Sequence, residues 1–264
     1  MDGGLEWGSM YVVAGISGAG KSSFANILET DIFDLNPKEK FKVLSFNFEM
    51  ASYRQILRKI SNKTKKTVGE LKSSNNILTD DEMDNIEEIA KKISLYDIHY
   101  VDIPGSIIEI WHTILEFQKN NPDHKVFIIL DHARLSKKIK MQSEQHMMDD
   151  LCNMFTTIKK RINCSILLLS QLNREIESRT STPSMHYPTR GDIFGNDGIY
   201  QHSDFVFVIH RPELLGIKYY GMERIPTENA IFLHMLKNRD GDCRIIKMTN
   251  NLKYNLIEED TNEI

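Results

Sequence analysis

The chain has 264 residues and a formal net charge of −4, with 41% hydrophobic and 27% charged residues. This composition is typical of a globular protein, and the length suits one large domain or two smaller ones. No stretch approaches the ~18 consecutive apolar residues of a membrane-spanning helix, so we expect no membrane partner. The negative charge argues against general affinity for nucleic acids, although a local basic patch would still provide it.

The N-terminus and the cysteines indicate a cytoplasmic protein. Residues 1–4 (MDGG) lack the basic and apolar regions of a secretory signal. The three cysteines are odd in number, widely spaced and free of any C-x-x-C pattern, so we expect reduced thiols and neither disulfides nor zinc ligands. They are Cys152, Cys164 and Cys243.

Residues 15–22 (GISGAGKS) match the P-loop pattern G-x-x-x-x-G-K-S. The apolar run at residues 10–14 predicts a buried strand before it, and residues 22–28 predict a helix after it. In such a loop, consecutive backbone N–H groups face phosphate oxygens, and the helix N-terminus adds its dipole. The alternative, a chance glycine turn, leaves the flanking strand and helix unexplained. We expect a nucleoside triphosphate to contact Gly15, Ser17, Gly18, Ala19, Gly20, Lys21, Ser22 and Ser23.

A magnesium site is expected beside these phosphates. Lys21 has the reach to contact the β- and γ-phosphates, and the Ser22 hydroxyl is a Mg²⁺ ligand in this pattern. Residues 126–131 (VFIILD) form an apolar strand that ends in Asp131, as in the Walker B motif. Behind a P-loop, such a strand delivers its carboxylate to the metal shell. The expected cofactors are therefore ATP and Mg²⁺, with Ser22 and Asp131 as the metal residues.

Two further side chains follow predicted core strands. Glu49 comes directly after the strand predicted at residues 42–48, where open α/β sheets bind their ligands, so it is a candidate for polarising the attacking water. An equal alternative is that Glu49 is an acid at the N-terminus of the next helix. Gln171 ends the strand at residues 165–171, where a glutamine can contact the γ-phosphate or the water.

The remaining pattern predicts alternating helices and strands. Amphipathic helices are predicted at residues 53–60, 84–94, 107–119 and 147–161, with further strands at residues 98–103, 205–211, 231–236 and 243–248. The last two strands form a hairpin. The result is an α/β domain with a largely parallel sheet and helices on both faces. We expect this domain to span residues 1–250 and a polar, acidic tail to span residues 251–264.

Several other segments carry recognisable motifs in a fixed order: residues 3–8 (GGLEWG), 46–50 (FNFEM), 130–131 (LD), 169–174 (LSQLNR), 192–204, 211–213 (RPE) and 237–241 (KNRDG). Together with the P-loop, they resemble the RecA-like motor domain of DnaB-type replicative DNA helicases. The resemblance covers nearly the whole chain, and residues 169–174 are its most specific part. The family's usual Y-L-Q after the Walker B aspartate is replaced by residues 132–134 (HAR).

The resemblance implies roles that the residue pattern alone leaves open. It implies that Glu49 is the catalytic base, and that Lys237 and Arg239 reach the γ-phosphate of a neighbouring subunit. It therefore implies a homo-oligomer, a hexamer in this family, in a bacterial or phage-infected cytoplasm. It also implies single-stranded DNA in the central channel, with a primase or a helicase loader as protein partner. The expected DNA contacts are Arg134, Lys137, Lys138, Lys140, Arg174, Arg179 and Arg190.

The sequence thus predicts an ATP-dependent replicative helicase motor. Two other classes stay open. One is a RecA-type or clock-type regulatory or recombination ATPase that unwinds nothing. The other is a loader or interaction subunit that uses nucleotide only as an assembly switch.

Overall fold

The computed structural model describes residues 4–75, 78–132, 143–178 and 186–260. Helices alternate with strands through most of the chain. The helices are α1 (Lys21–Leu35), α2 (Ser52–Thr64), α3 (Val68–Lys72), α4 (Asp80–Ser94), α5 (Ile107–Asn120), α6 (Glu144–Arg161), α7 (Glu175–Ser178) and α8 (Asn196–His202). The strands are β1 (Met10–Gly15), β2 (Phe41–Asn47), β3 (Ile98–Val101), β4 (Lys125–Asp131), β5 (Cys164–Gln171), β6 (Phe205–His210), β7 (Tyr219–Tyr220), β8 (Ile225–Pro226), β9 (Ala230–Asn238), β10 (Ile245–Asn251) and β11 (Leu256–Glu259).

A nine-stranded sheet forms the centre of the fold, in the order β11-β10-β9-β6-β1-β5-β4-β2-β3. Six neighbouring strands are parallel, namely β6, β1, β5, β4, β2 and β3. Next to β6, the strands β9, β10 and β11 continue the sheet as an antiparallel meander. The predicted α/β fold with a largely parallel sheet and a C-terminal hairpin is confirmed.

The strand order also locates the ligand crevice. After β1 and β2 the chain moves towards β3, whereas after β3, β4 and β5 it moves back towards β6. Because parallel crossovers are right-handed, α1 to α4 cover one face of the sheet, and α5, α6 and α8 cover the other. The direction of connection reverses between β1 and β5, and ligands of open α/β sheets bind at the strand ends at such a switch point.

Capping boxes begin two of the long helices. Thr79 and Glu82 form a capping box at the start of α4, in which each side chain accepts the other residue's backbone N–H. Ser106 and Glu109 form the same arrangement at the start of α5. Among the described residues, no helix is both long and apolar enough to cross a membrane.

The expected tail differs from the structure. Residues 252–254 form a 3-10 turn, and β11 pairs with β10 along residues 256–259. Ile257 is buried in the main core, and Leu252 packs against that core. The strand itself, residues 256–259 (LIEE), is only four residues long and does not alternate apolar with polar side chains, so it is recognisable only from its pairing. Residues 261–264 lie outside the described residues.

We expect Ile257→Ala to lower the free energy of unfolding by about 2–4 kcal/mol, because it leaves a cavity beneath the C-terminal strand. Urea denaturation measures the effect. Ile103→Ala is the matched control, since Ile103 is 76% exposed whereas Ile257 is 6% exposed. Equal stability of the two variants would contradict a packed role for β11.

Candidate active site

The loop between β1 and α1 forms a cradle of backbone N–H groups. Gly18 and Gly20 have φ angles of 76° and 108°, a region that favours glycine. At Gly15, an added Cβ would lie 2.8 Å from the Ile209 carbonyl oxygen, so only glycine fits beside β6. The helix dipole of α1 begins at Lys21, directly after this loop. The arrangement suits an anion, as the P-loop pattern predicts.

Lys21 is folded back on its own loop. Its Nζ donates to the carbonyl oxygens of Gly15 at 2.9 Å and Ile16 at 3.0 Å. Burial lowers the pKa of Lys21, although the nearby carboxylates of Asp131 and Glu49 oppose this effect. A phosphate would offer Lys21 a stronger, charged acceptor at the same loop.

Ser22 and Asp131 meet at the end of β4. The Ser22 hydroxyl donates to Asp131 Oδ2 at 2.7 Å. Asp131 Oδ1 is buried and accepts no hydrogen bond from the described part of the chain. Burial raises the pKa of Asp131 to about 6, against the opposing effect of the Ser22 hydrogen bond. This hydroxyl and carboxylate fit Mg²⁺, which binds one or two protein oxygens and takes its other ligands from phosphates and water.

Glu49, His132 and Gln171 lie at the carboxyl ends of β2, β4 and β5. Glu49 Oε2 is 3.8 Å from His132 Nε2, and Gln171 Nε2 is 3.4 Å from the same atom. The Glu49 side chain is 52% exposed. α2 begins only at Ser52 and has no acid in its first turn, so the structure does not support Glu49 as a helix N-terminal acid. Glu49 instead lines the cleft over the P-loop.

Two arginines in this cleft were not predicted. Arg58 on α2 lines it together with Glu49 and Gln171, and its charge interacts favourably with Asp131 and Glu49. Arg211, after β6, donates from Nη1 to the Gly18 carbonyl oxygen at 2.8 Å. The residue pattern placed Arg58 near a predicted helix end and gave no sign that α2 turns this position towards the P-loop.

The C-terminal turn closes one side of the same cleft. Leu252 and Asn255 line it, and the Ser23 hydroxyl donates to Asn255 Oδ1 at 3.3 Å. An added Cβ at Gly20 would lie 3.1 Å from Leu252, so the turn packs tightly on the P-loop. The cleft has a volume of about 280 Å³.

Lys237 and Arg239 lie far from this cleft. Lys237 Nζ donates to the carbonyl oxygens of Tyr200 at 2.6 Å and Ser203 at 2.7 Å. Arg239 forms an ion pair with Asp204, whose Oδ2 also accepts from the backbone N–H of Met10 at the start of β1. The P-loop begins at the other end of β1, about 17 Å away at ~3.3 Å per residue. These two residues therefore do not join the cleft of their own chain.

The expected DNA-contacting residues are only partly described. Arg134, Lys137, Lys138, Lys140 and Arg179 lie outside the described residues. Arg174 and Arg190 are both exposed. Each lies next to a hydrogen bond that joins the two ends of this segment, which the Asn173 backbone N–H donates to the Asp192 carbonyl oxygen at 2.6 Å. The Arg190 guanidinium also lies over the Tyr200 ring at 4.7 Å.

The chain is similar to known proteins over most of its length. The family model described as "DnaB-like helicase C terminal domain" matches residues 1–259. A probable replicative DNA helicase of Trieres chinensis is 21% identical over 95% of the chain, and the chain covers 53% of that protein. The replicative DNA helicase DnaB of Mycobacterium leprae is 22% identical over 81% of the chain, which covers 34% of it. The chain thus spans about half or less of these relatives.

Solved structures show the same fold. A solved ATPase domain matches with a TM-score of 0.81 and 18% identity, over 95% of this chain and 84% of that chain. A DnaB-like replicative helicase, solved in a study of its interactions with primase, matches with a TM-score of 0.82 and 18% identity, over 95% of this chain and 57% of that chain.

We expect Asp131→Asn to stabilise the metal-free protein at neutral pH by about 2 kcal/mol, because it removes a desolvated charge and keeps an acceptor for Ser22. The pKa of Asp131 is raised from 3.8 to about 6 on folding. Its burial therefore costs nothing below about pH 4. The penalty grows between about pH 4 and pH 6, where the unfolded chain has lost the proton that the folded chain keeps, and it stays constant above that range.

Urea denaturation in EDTA at about pH 4 and pH 8 measures this difference. The exposed Glu88→Gln serves as the control. An Asp131→Asn variant that is less stable than the wild type at the higher pH would refute the argument from burial.

Proposed function

Because the chain belongs to the DnaB-like helicase C-terminal domain family, we propose that it is the ATP-hydrolysing motor of a replicative DNA helicase, which translocates on single-stranded DNA and unwinds duplex. The observation that carries the proposal is the meeting of Ser22 and Asp131 beside the P-loop, with Glu49 and Gln171 at the ends of the adjacent strands. These are the groups that phosphoryl transfer to water requires at one position.

The proposed roles follow from the chemistry of each side chain. Lys21 leaves the carbonyl oxygens of its own loop for the β- and γ-phosphates of ATP. Ser22 and Asp131 hold Mg²⁺, which neutralises charge on the phosphate oxygens when it is bound. Glu49 orients and polarises the attacking water, and Gln171 contacts the γ-phosphate.

Two neighbouring groups extend this machinery. Arg58 adds a positive charge on the α2 side of the cleft, where negative charge grows during the transfer. His132 lies between Glu49 and Gln171 and links the water-orienting residue to the γ-phosphate contact.

We further propose that Lys237 and Arg239 complete the site of a neighbouring subunit. Arg239 is paired with Asp204 at the start of β1, and the length of β1, ~17 Å, separates that end of the strand from the P-loop. This separation argues against action within one chain, and an arginine supplied by a partner stabilises charge on the transferring group. In a ring, such as the hexamer that the family resemblance implies, the same contact completes the site of every subunit.

The DNA contacts are proposed for two segments. One comprises Arg134, Lys137, Lys138 and Lys140 after β4, and the other runs from Arg174 through Arg179 to Arg190 after β5. Cations that face a phosphate backbone give salt-sensitive binding with little sequence preference, as a translocating motor needs. One solved relative is described together with its interactions with primase, so a primase is the proposed protein partner, with a helicase loader as a second.

The deciding experiment is the ATPase rate with and without single-stranded DNA, on a sample sized by light scattering. We expect strong stimulation by DNA and the mass of a ring. ATPase activity that DNA leaves unchanged would favour the regulatory ATPase, and ATP binding with little turnover would favour the assembly switch. We expect Lys21→Ala to abolish turnover, and persistent activity in that variant would refute the site.

Mixing two inactive variants tests the proposed action in trans. Arg239→Ala lacks the arginine, and Glu49→Gln lacks the water-polarising carboxylate. We expect each alone to bind ATP without turnover, and a mixture to recover activity at up to about a quarter of its interfaces, where both groups are intact. Lys21→Ala mixed with Glu49→Gln is the control without recovery, since both lesions then lie in the chain's own site. Equal activity in the two mixtures would exclude a role in trans.

A further inference from the structure

An ion pair lies buried between α1 and α2, behind the proposed nucleotide cleft. Lys59 and Glu29 are 1% and 3% exposed, and their side chains form a salt bridge. Lys59 Nζ also donates to Asn26 Oδ1. The Ser45 hydroxyl on β2 donates to Glu29 Oε1 at 2.6 Å. The Tyr100 hydroxyl on β3 donates to Glu29 Oε2 at 3.4 Å. The pair thus takes part in directional bonds that join four elements, α1, α2, β2 and β3.

Hydrogen bonds continue from this pair to the P-loop. Asn26 Nδ2 donates to the Ser22 carbonyl oxygen at 2.9 Å and to Gln55 Oε1 at 2.5 Å. Gln55 Nε2 in turn lies 3.4 Å from Asn47 Oδ1 at the end of β2. We call Glu29, Asn26, Lys59, Gln55 and Asn47 the buried polar network.

The members of the buried polar network adjoin the catalytic groups. Asn26 holds the residue whose hydroxyl bonds Asp131, and Lys59 follows Arg58 on α2. Asn47 is the register partner of Asp131 on the neighbouring strand and precedes Glu49 by two residues. Asn47 Nδ2 is buried and has no hydrogen-bond partner in the described ranges, as is also true of Asp131 Oδ1. Asn47 and Asp131 thus lie opposite each other on neighbouring strands, and each has one buried polar atom that forms no hydrogen bond with the described residues.

Stability alone does not account for this arrangement. Removing two charges from water costs several kcal/mol per ion, and well-packed apolar residues in place of a buried ion pair are often as stable or more stable. Hydrogen bonds fix the relative position of the side chains that they join, because they weaken steeply when the distance or the angle changes. Apolar contacts tolerate small sliding movements.

We propose that Lys59, Glu29 and Asn26 are positioning residues, which hold Ser22, Arg58 and the end of β2 in the geometry that Mg²⁺ and the triphosphate require. This inference rests on the proposed ATPase function. Groups behind metal ligands commonly change metal affinity or activity by about 10–100-fold when they are removed.

The test replaces the pair by apolar residues of similar length, Glu29→Leu with Lys59→Met, in the full chain. Three quantities are measured: the Tm, the kcat and KM for ATP, and the Kd of ATPγS with Mg²⁺ and with EDTA. We expect an unchanged or higher Tm, kcat lower by about tenfold or more, KM within about threefold, and a smaller strengthening of ATPγS binding by Mg²⁺.

Matched variants separate position from stability. Glu87→Leu with Lys91→Met makes the same change at an exposed pair on α4 and should behave as the wild type. Asn26→Leu cuts the link to Ser22 and leaves the ion pair in place, and it should show the same loss of kcat and Mg²⁺ effect. Asn26→Leu therefore tests the positioning role on its own if the double variant Glu29→Leu with Lys59→Met does not fold.

Wild-type kcat and a wild-type Mg²⁺ effect in a stably folded double or Asn26→Leu variant would overturn the inference. If the wild-type chain itself lacks ATPase activity, the proposed function fails. The Mg²⁺-dependent ATPγS affinity then tests the positioning role separately.

Discussion

The hydrogen bond between the Ser22 hydroxyl and Asp131 joins residues 109 positions apart in the chain. It exists only if β1, β5, β4 and β2 are aligned so that their carboxyl ends reach the same level, and the register pairs Gly15 with Gln171 and Asn47 with Asp131 accordingly. An alternating α/β chain reaches this alignment because each parallel strand enters the sheet in the same direction. The remaining features of the site depend on that shared edge.

Strand direction also determines which residues lie at the opposite edge of the sheet. β9 is antiparallel to β6, so its end carries Lys237 and Arg239 to the edge opposite the P-loop. In the single chain both residues satisfy their charge locally, Arg239 on Asp204 and Lys237 on carbonyl oxygens near the end of α8. Asp204 retains Lys159 as a second cation. Arg239 can therefore leave for a neighbour's phosphate without stranding a buried carboxylate.

A feature of this structure could be predicted from the sequence where residues close together in the chain determine it. The P-loop, Asp131 and the alternation of helices and strands follow from short-range patterns, and the structure confirms the fold. Arg58 could not be assigned, because its role depends on how α2 packs. The C-terminal strand was missed for a related reason. Residues 256–259 (LIEE) are few and do not alternate apolar with polar side chains, and only the pairing with β10 and the contact of Ile257 with Gly20 reveal them as part of the core.

The two faces of the sheet differ in how they are packed. The buried residues of α5 and α6 are all apolar. On the other face, those of α1 include Lys21, Asn26 and Glu29, and those of α2 include Gln55 and Lys59. Burying so many polar groups lowers the stability available from the hydrophobic effect, which is acceptable where geometry matters more than stability. The polar face is the one that carries the phosphate loop, so the stricter packing lies where small displacements would change the chemistry most.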